Sequence, residues 1–497
     1  MIALARRSDA TTRRRAVTLA GALAVVTTVA GCRSATAPVA GTVAPFVPST
    51  GQSAFLDTVQ RRTFDWFWET TNTANGLVPD RWPTKSFSSI AADGFGLTGY
   101  LVGVERGWIT REQARDRVIT TLRFFWTAPQ GAESTNVTGY RGFYYHFLDM
   151  ERGRRFERVE LSTIDTGLLL MGILSARQYF DRADAGDSTV RALADSIYFR
   201  VDWLWARNGA ASLTMGWHPE SGFIDNRWIG YDEAMLLYAL ALGSPTHPIG
   251  PEAWNAWTGG YRWDRFQGQQ YVMFGPLFGH QYSHVWLDFR DIQDAYTRAR
   301  GIDYFENSRR ATLAHRAYAT ANPGGWRGYA DSVWGLTASD GALDSSFVLA
   351  GRRRQFHTYW ARGAGADEIN DDGTIAPTAA GGSVPFAPEI AIPALMAMRR
   401  QYGEPLFGRY GFVDAFNPSL TDVALHVSQG RVQPGVGWFD TDYLGIDQGP
   451  ILLMIENQRT QLVWRLMRTN PYVVRGLCRA GFSGGWLTGR CSESVTQ

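Results

Sequence analysis

Ser162-Thr-Ile-Asp165-Thr-Gly-Leu-Leu-Leu-Met-Gly-Ile-Leu174 decides the fold. Ser162 is a good N-cap and Asp165 stands three residues on, the spacing of a capping box, so a helix opens here. From Gly167 to Leu174 the segment is apolar almost all round. A helix that faces water keeps a polar stripe, and one that lacks it is buried on every side. Working outward, Thr110-Arg-Glu-Gln113 opens a helix of the other kind, with Ala114, Val118, Leu122 and Phe125 marking a single apolar face. Further helices are expected near residues 54–71, 95–106, 187–206, 231–242, 289–300, 303–321, 389–402 and 450–468. Some of these are amphipathic and some nearly all apolar, as two concentric rings require. Strand alternation is scarce and no fixed-period repeat supports a solenoid. The chain reads as all-α, with paired helices closed into an (α/α) barrel.

The 497 residues, 45% hydrophobic and 19% charged, exclude wholesale disorder and suit one large domain, expected over residues 53–482 with a C-terminal tail from 483. Arg6, Arg7 and Arg13 to Arg15 precede the apolar stretch Ala16 to Val29 and then Ala30-Gly31-Cys32. This is the layout of a signal peptide over residues 1–31. Its end resembles a bacterial lipobox, with Cys32 as the lipidated N-terminus of an exported, envelope-anchored protein. The Ser/Thr/Ala/Pro-rich residues 32–52 then serve as a flexible tether. Losing five arginines and one aspartate with residues 1–31 takes the formal charge from +2 to −2, which argues against nucleic acid as a partner. Cys478 and Cys491 could close a disulfide in an exported protein. No metal-ligand spacing is present, and neither metal nor cofactor is expected. Glu368-Ile-Asn-Asp-Asp-Gly fails as a calcium loop because Ala379 stands where a bidentate Glu belongs.

The connecting loops carry aromatic rings and carboxylates together, in Trp217-His-Pro-Glu-Ser-Gly-Phe223, Tyr282-Ser-His-Val-Trp-Leu-Asp-Phe289 and Glu368 to Thr374. Flat apolar faces with polar edges suit pyranose rings. Candidate sugar contacts are Tyr145 and His146, Trp217, Tyr231, then His284, Trp286, Asp288 and Arg290, and finally Asp372 and Glu389. Three acids share a position type. Asp165 and Glu233 lie in first turns, and Asp447 precedes a helix announced by Pro450. Such acids also act as plain caps, worth about 0.3–1 kcal/mol each. In a barrel of antiparallel pairs, however, the inner helices run the same way and their N-termini open on one mouth. Two converging carboxyls are what glycosidic cleavage needs, one as proton donor and one as base or nucleophile. A helix N-terminus lowers a carboxyl pKa, which favours a base and hampers an acid. Glu233 beside Asp232 is the better placed acid, and Asp447 the more base-like.

Gly142-Phe-Tyr-Tyr-His-Phe-Leu-Asp149, Glu160 to Thr166, Ile229-Gly-Tyr-Asp-Glu-Ala-Met-Leu-Leu237 and Ser244-Pro-Thr-His247 together resemble a known family. So do Tyr282 to Arg290, Asp371 to Ala380, and Gly445-Ile-Asp-Gln-Gly-Pro450 with Ile455-Glu-Asn457. The family is the glycoamylase-like domain of glycoside hydrolase family 144, the bacterial endo-β-1,2-glucanases. The resemblance implies a single (α/α)6 barrel, no obligate metal, and hydrolysis of β-1,2-linked glucan by Glu233, Asp165 and Asp447. An endo-acting, inverting, monomeric enzyme is expected. Asn417 to Val436 is longer than the family usually has before its Ile-Asp-Gln-Gly-Pro element, which keeps exo action open. A β-1,2-glucosidase or sophorose-releasing enzyme, a transglycosylase, and a non-catalytic glycan-binding lipoprotein are the alternatives.

Overall fold

The computed structural model describes residues 46–491. The export segment, Cys32 and the first part of the tether lie outside them. Sixteen α-helices are found among the described residues. The first five are α1 (Thr50–Thr70), α2 (Ile90–Glu105), α3 (Arg111–Thr127), α4 (Thr163–Tyr179) and α5 (Ala185–Phe199). Then come α6 (Trp203–Ala206), α7 (Met235–Gly243), α8 (Glu252–Thr258), α9 (Tyr282–Trp286), α10 (Ala295–Arg298) and α11 (Tyr304–Ala321). The last five are α12 (Pro377–Gly381), α13 (Pro388–Tyr402), α14 (Gly445–Thr460), α15 (Leu462–Met467) and α16 (Pro471–Arg479).

Capping decides several starts. Ser49 with Gln52 and Thr110 with Gln113 form complete capping boxes at α1 and α3. Two populations of helix are present. α2, α4, α7 and α14 are buried over most of their residues, whereas α3 and α5 bury one face each. The dry helices touch one another: α2 packs on α4 and α14, α4 on α7, α7 on α9, and α14 on α9 and α12. α1, α3, α5, α13 and α16 cover α2, α4, α7, α12 and α14 from outside. α2 and α4 approach closely, and a Cβ on Gly172 would stand 2.1 Å from the Gly94 carbonyl oxygen. Among the described residues no helix is long and apolar enough to cross a membrane.

Short strand pairs precede the dry helices. Phe143–Tyr145 pairs with Leu161–Ser162, and the latter with Gly216–His218, in a five-stranded antiparallel sheet that runs straight into α4. Arg81–Trp82 pairs with Tyr443–Leu444 just before α14. Ala338–Ser339 pairs with Trp360–Ala361, and Phe416–Asn417 with Gly437–Phe439.

Several boundaries differ from expectation. Residues 289–300 hold only the single-turn α10, because Asp291 adopts φ +63° and Asp288 is tied to both Arg290 and Arg468. The segment 187–206 breaks after α5, and Asp202 caps α6 anew. α14 begins at Gly445, so Asp447 lies inside its first turn, and Gln461 at φ +60° ends it. α7 begins two residues after Glu233, which sits in the preceding turn. The tether yields to α1 at Thr50. Within the expected tail, Ser483 pairs with Gln293 and Cys491 is disulfide-bonded to Cys478, while residues 492–497 lie outside the described residues.

Candidate active site

Asp165 and Asp447 each follow a strand end by a few residues, whereas Glu233 sits in a turn. The pairing of Tyr145 with Leu161 sets His146 opposite Glu160, and the next residues of that chain start α4. Ser162 caps α4 by accepting from the Asp165 amide, and its hydroxyl donates to Asp165 Oδ2. Asp165 does not reach back to the Ser162 amide in a capping box, so its carboxylate is left for other work. His146 lies 3.6 Å from Asp165 Oδ2 through Nε2 and 2.9 Å from Glu160 Oε1 through Nδ1. Burial opposes the charged ring, but Asp165 and Glu160 outweigh it and raise the His146 pKa. Burial also disfavours ionised Glu160, yet the His146 hydrogen bond and charge bring it down to about 2.

Glu233 is half-buried in the turn before α7, where Ser283 Oγ donates to its carbonyl at 2.6 Å. Desolvation pushes its carboxyl well above the usual range, and the negative charges of Asp232 and Asp165 push the same way. Asp232 is buried, accepts from Trp257 Nε1 and the Ala234 amide, and is raised by burial to about 7. The opposition between helix N-terminus and general acid is thus met locally. Glu233 stands ahead of the helix and is desolvated among like charges.

Asp447 is 2% exposed on the first turn of α14. Burial raises it to about 7, while a hydrogen bond with Asp414 works downward. Asp80, Arg81 and Asp340 also act on it. Arg81 reaches Asp340 at 2.7 Å and Asp80 at 3.2 Å. A relay of charge interactions links the three predicted acids. Asp165 acts on both Glu233 and His146, His146 on Asp80, and Asp80 on Asp447. Tyr282, at the start of α9, stands in the fields of both Asp447 and Glu233. Tyr359 feels Asp447, Asp414, Asp340 and Asp80 while remaining 37% exposed.

The other expected sugar contacts have partners within the protein. His284 is fully buried between Phe289 and Phe386 and bonded to Ser308 Oγ. Trp286, also fully buried, donates to Thr98 Oγ1. Asp288 pairs with Arg290 and Arg468, and Arg290 lies on the Trp464 ring. Asp372 is clamped by the buried Arg362, and Glu389 pairs with Arg309 at the outer helix α13. Tyr145 is covered by the Arg155 guanidinium, and Tyr231 is buried among Trp257, His280 and Tyr304. Trp217 stays half-buried on the five-stranded sheet against Tyr140 and Trp205. Most of these side chains are packed or ion-paired within the protein. Asp80, Arg81, Asp340, Tyr359 and Asp414 surround Asp447 electrostatically, and none of them belongs to a local sequence pattern. Only Tyr282 lay in a stretch that had drawn notice. A recess lined by Phe55, Thr58, Met396 and Arg399 lies at α1 and α13 and includes none of the acids.

Residues 225–471, which include Glu233 and Asp447, match the Glycoamylase family model, described as "Putative glucoamylase". The crystal structure of a "putative glucoamylase" from Bacteroides uniformis ATCC 8492 is 30% identical, with a TM-score of 0.75 over 89% of this chain and 100% of that one. The chain belongs to this family. The endo-β-1,2-glucanase from Chitinophaga pinensis, solved with sophorotriose and glucose, is 28% identical, with a TM-score of 0.75 over 88% of this chain and 100% of that one. A curated family relative, the exo β-1,2-glucooligosaccharide sophorohydrolase (non-reducing end) of Parabacteroides distasonis, is 31% identical over 453 residues. That match takes in 85% of this chain and spans 57% of the relative's length.

Proposed function

We propose that this chain is a glycoside hydrolase acting on β-1,2-linked glucan, with Glu233 as general acid and Asp447 as general base. The observation that carries the assignment is the asymmetry of the two carboxyls around Tyr282. Glu233 is desolvated beside Asp232 and Asp165, and both effects push its carboxyl pKa well above the usual range, toward the protonated form an acid needs. Asp447 titrates near 7 with a hydrogen-bonding partner that favours its ionised form. In the reaction Glu233 protonates the leaving glycosidic oxygen as the bond to the anomeric carbon breaks. Asp447 takes a proton from the water that attacks that carbon from the opposite face. Inversion is the expected outcome, which requires the two carboxyls to stand about 6.5–9.5 Å apart with a water between them. Asp165 and His146, 3.6 Å apart, lie beside Glu233 and are suited to sugar hydroxyls. Arg81 can donate to further hydroxyls from the other side.

We also infer that α2, α4, α7, α9, α12 and α14 close the inner ring of an (α/α)6 barrel. Gln281 supports this by bridging from the start of α9 to Ala379 and Ser383 at α12, with Nε2 at 2.8 Å from each. Endo action on glucan is the leading reading, by the monomeric protein held at the envelope through Cys32. The relative described as an exo-acting sophorohydrolase supports a second, in which short sophorose units leave a chain end. Product lengths at early times on long β-1,2-glucan, beside β-1,3- and β-1,4-glucans, separate these. A ladder of oligomers fits endo action, sophorose alone fits exo action, and no shortening of any glucan defeats the assignment. Lipid labelling that survives Cys32→Ala would remove the anchor.

A further inference from the structure

Asp414 belongs to no motif, yet the fold spends several bonds on placing it. Its amide donates to the Asp442 carbonyl, and Gln448 of α14 donates to the nearby Phe412 carbonyl, which fixes this strand end beside the first turn of α14. Asp414 Oδ2 accepts from the Asp340 amide at 2.7 Å, and Asp340 is itself held by Arg81. Asp414 is 2% exposed, and its carboxyl is in hydrogen-bonding contact with that of Asp447. Asp414 Oδ1 and Asp447 Oδ2 are both buried and have no donor among the described residues. Two acceptors facing each other in a dry site repel unless one proton lies between them.

We propose that Asp414 is a positioning residue for the base: it carries one proton on Oδ1 and donates it to Asp447, which keeps Asp447 ionised and fixes its rotamer. The proposal rests on the reading of Asp447 as base. In each turnover the Asp414 proton stays in place. The proton that moves is the one Asp447 takes from the attacking water, and it leaves to solvent when the product departs. Facing the pair are Asp80 and Arg81 from the strand before α2, Asp340 before the Tyr359 loop, and Asp440 and Asp442 before α14. Arg362 feels Asp340 and Asp414, and the phenols of Tyr282 and Tyr359 complete the surround. Carboxylate oxygens of Asp340, Asp414 and Asp440 lie within 4.8 Å of one another, a spacing that a divalent cation also accepts. The contact of Asp414 with Asp447 favours the proton.

The test compares Asp414→Asn with Asp414→Ala in kcat and KM against pH, with melting curves on both. The Asp340 amide requires an oxygen, so Asn turns its NH2 toward Asp447 and keeps the donated bond. Asn should hold the acidic limb of the kcat profile near that of the wild type. Ala should move that limb to higher pH and lower kcat by roughly tenfold or more, with KM little changed. Superimposable profiles for Ala and wild type would overturn the proposal, as would a well-folded Asn variant as impaired as Ala. Loss of wild-type turnover in EDTA, restored by calcium, would also overturn it, because a cation would then hold the place of the proton. Wild-type protein that leaves β-1,2-glucan intact would instead defeat the enzymatic reading itself.

Discussion

Glu233 owes its chemistry to its surroundings more than to its helix. Asp232 is the largest charge acting on it, and Asp165 adds to that. Glu233→Gln should cut glucan hydrolysis by roughly 10²–10⁴-fold with an unchanged melting temperature, and near-normal turnover would refute its role. Asp232→Asn keeps an acceptor for Trp257 and the Ala234 amide but removes a negative charge. With that charge gone the Glu233 pKa falls, so the basic limb of the kcat profile should move to lower pH. A limb that stays in place would show that burial alone sets the acid. Glu233 and Asp447 were visible in sequence because each stands near a helix start that announces itself. Asp414 was not, since nothing within four residues of it along the chain marks its use.

At the scale of elements, the site is fixed by close helix packing and by strand pairs two or three residues long. α2 and α4 meet through Gly94 and Gly172, and α7 and α16 through Gly243 and Gly476, where an added Cβ would stand 1.9 Å from the Ala239 carbonyl oxygen. A backbone atom cannot rotate away as a side chain can. Gly172→Ala should therefore destabilise by about 2–3 kcal/mol in denaturant melts, with Gly51→Ala, which meets nothing within 4 Å, as a near-neutral control. Equal midpoints for the two variants would mean that the helices part without cost. The disulfide closes a loop of 13 residues at the end of α16. Replacing Cys478 and Cys491 together by serine should lower stability by roughly 3 kcal/mol. The helix-rich pattern and the split between wet and dry helices were legible from residue periodicity. The strand pairs were not, because two-residue ladders show no alternation to detect.

For the whole molecule, the buried acids make stability depend on pH. Asp232, Glu233, Asp414, Asp440 and Asp447 all have raised pKa values in the folded chain. Raised acids contribute stability that is complete below the unfolded carboxyl value, about 4, and is lost as pH rises through the folded values. Asp232 and Asp447 place part of that loss near 7. Glu160, lowered to about 2, acts oppositely: its contribution is present above the unfolded value and is lost as pH falls toward 2. The melting temperature should therefore peak at mildly acidic pH and fall toward pH 8. Asp440→Asn, which removes one repelling charge, should flatten that fall. A melting temperature that is constant or rising between pH 5.5 and 8 would contradict this balance.

Sequence alone determined the helical class, the dry and wet helices, and the acids that sit beside helix starts. These are local properties, set by side-chain periodicity and by the polar groups that helix ends demand. Tertiary structure alone decided which aromatic and acidic residues are packing and which face the site, because burial and charge pairing join residues hundreds apart in the chain. Asp288 and Asp372 look as chemical as Asp447 when read in line. An arginine against each of the first two makes it an ion pair, whereas Asp447 is buried with a second carboxyl, Asp414, acting on it.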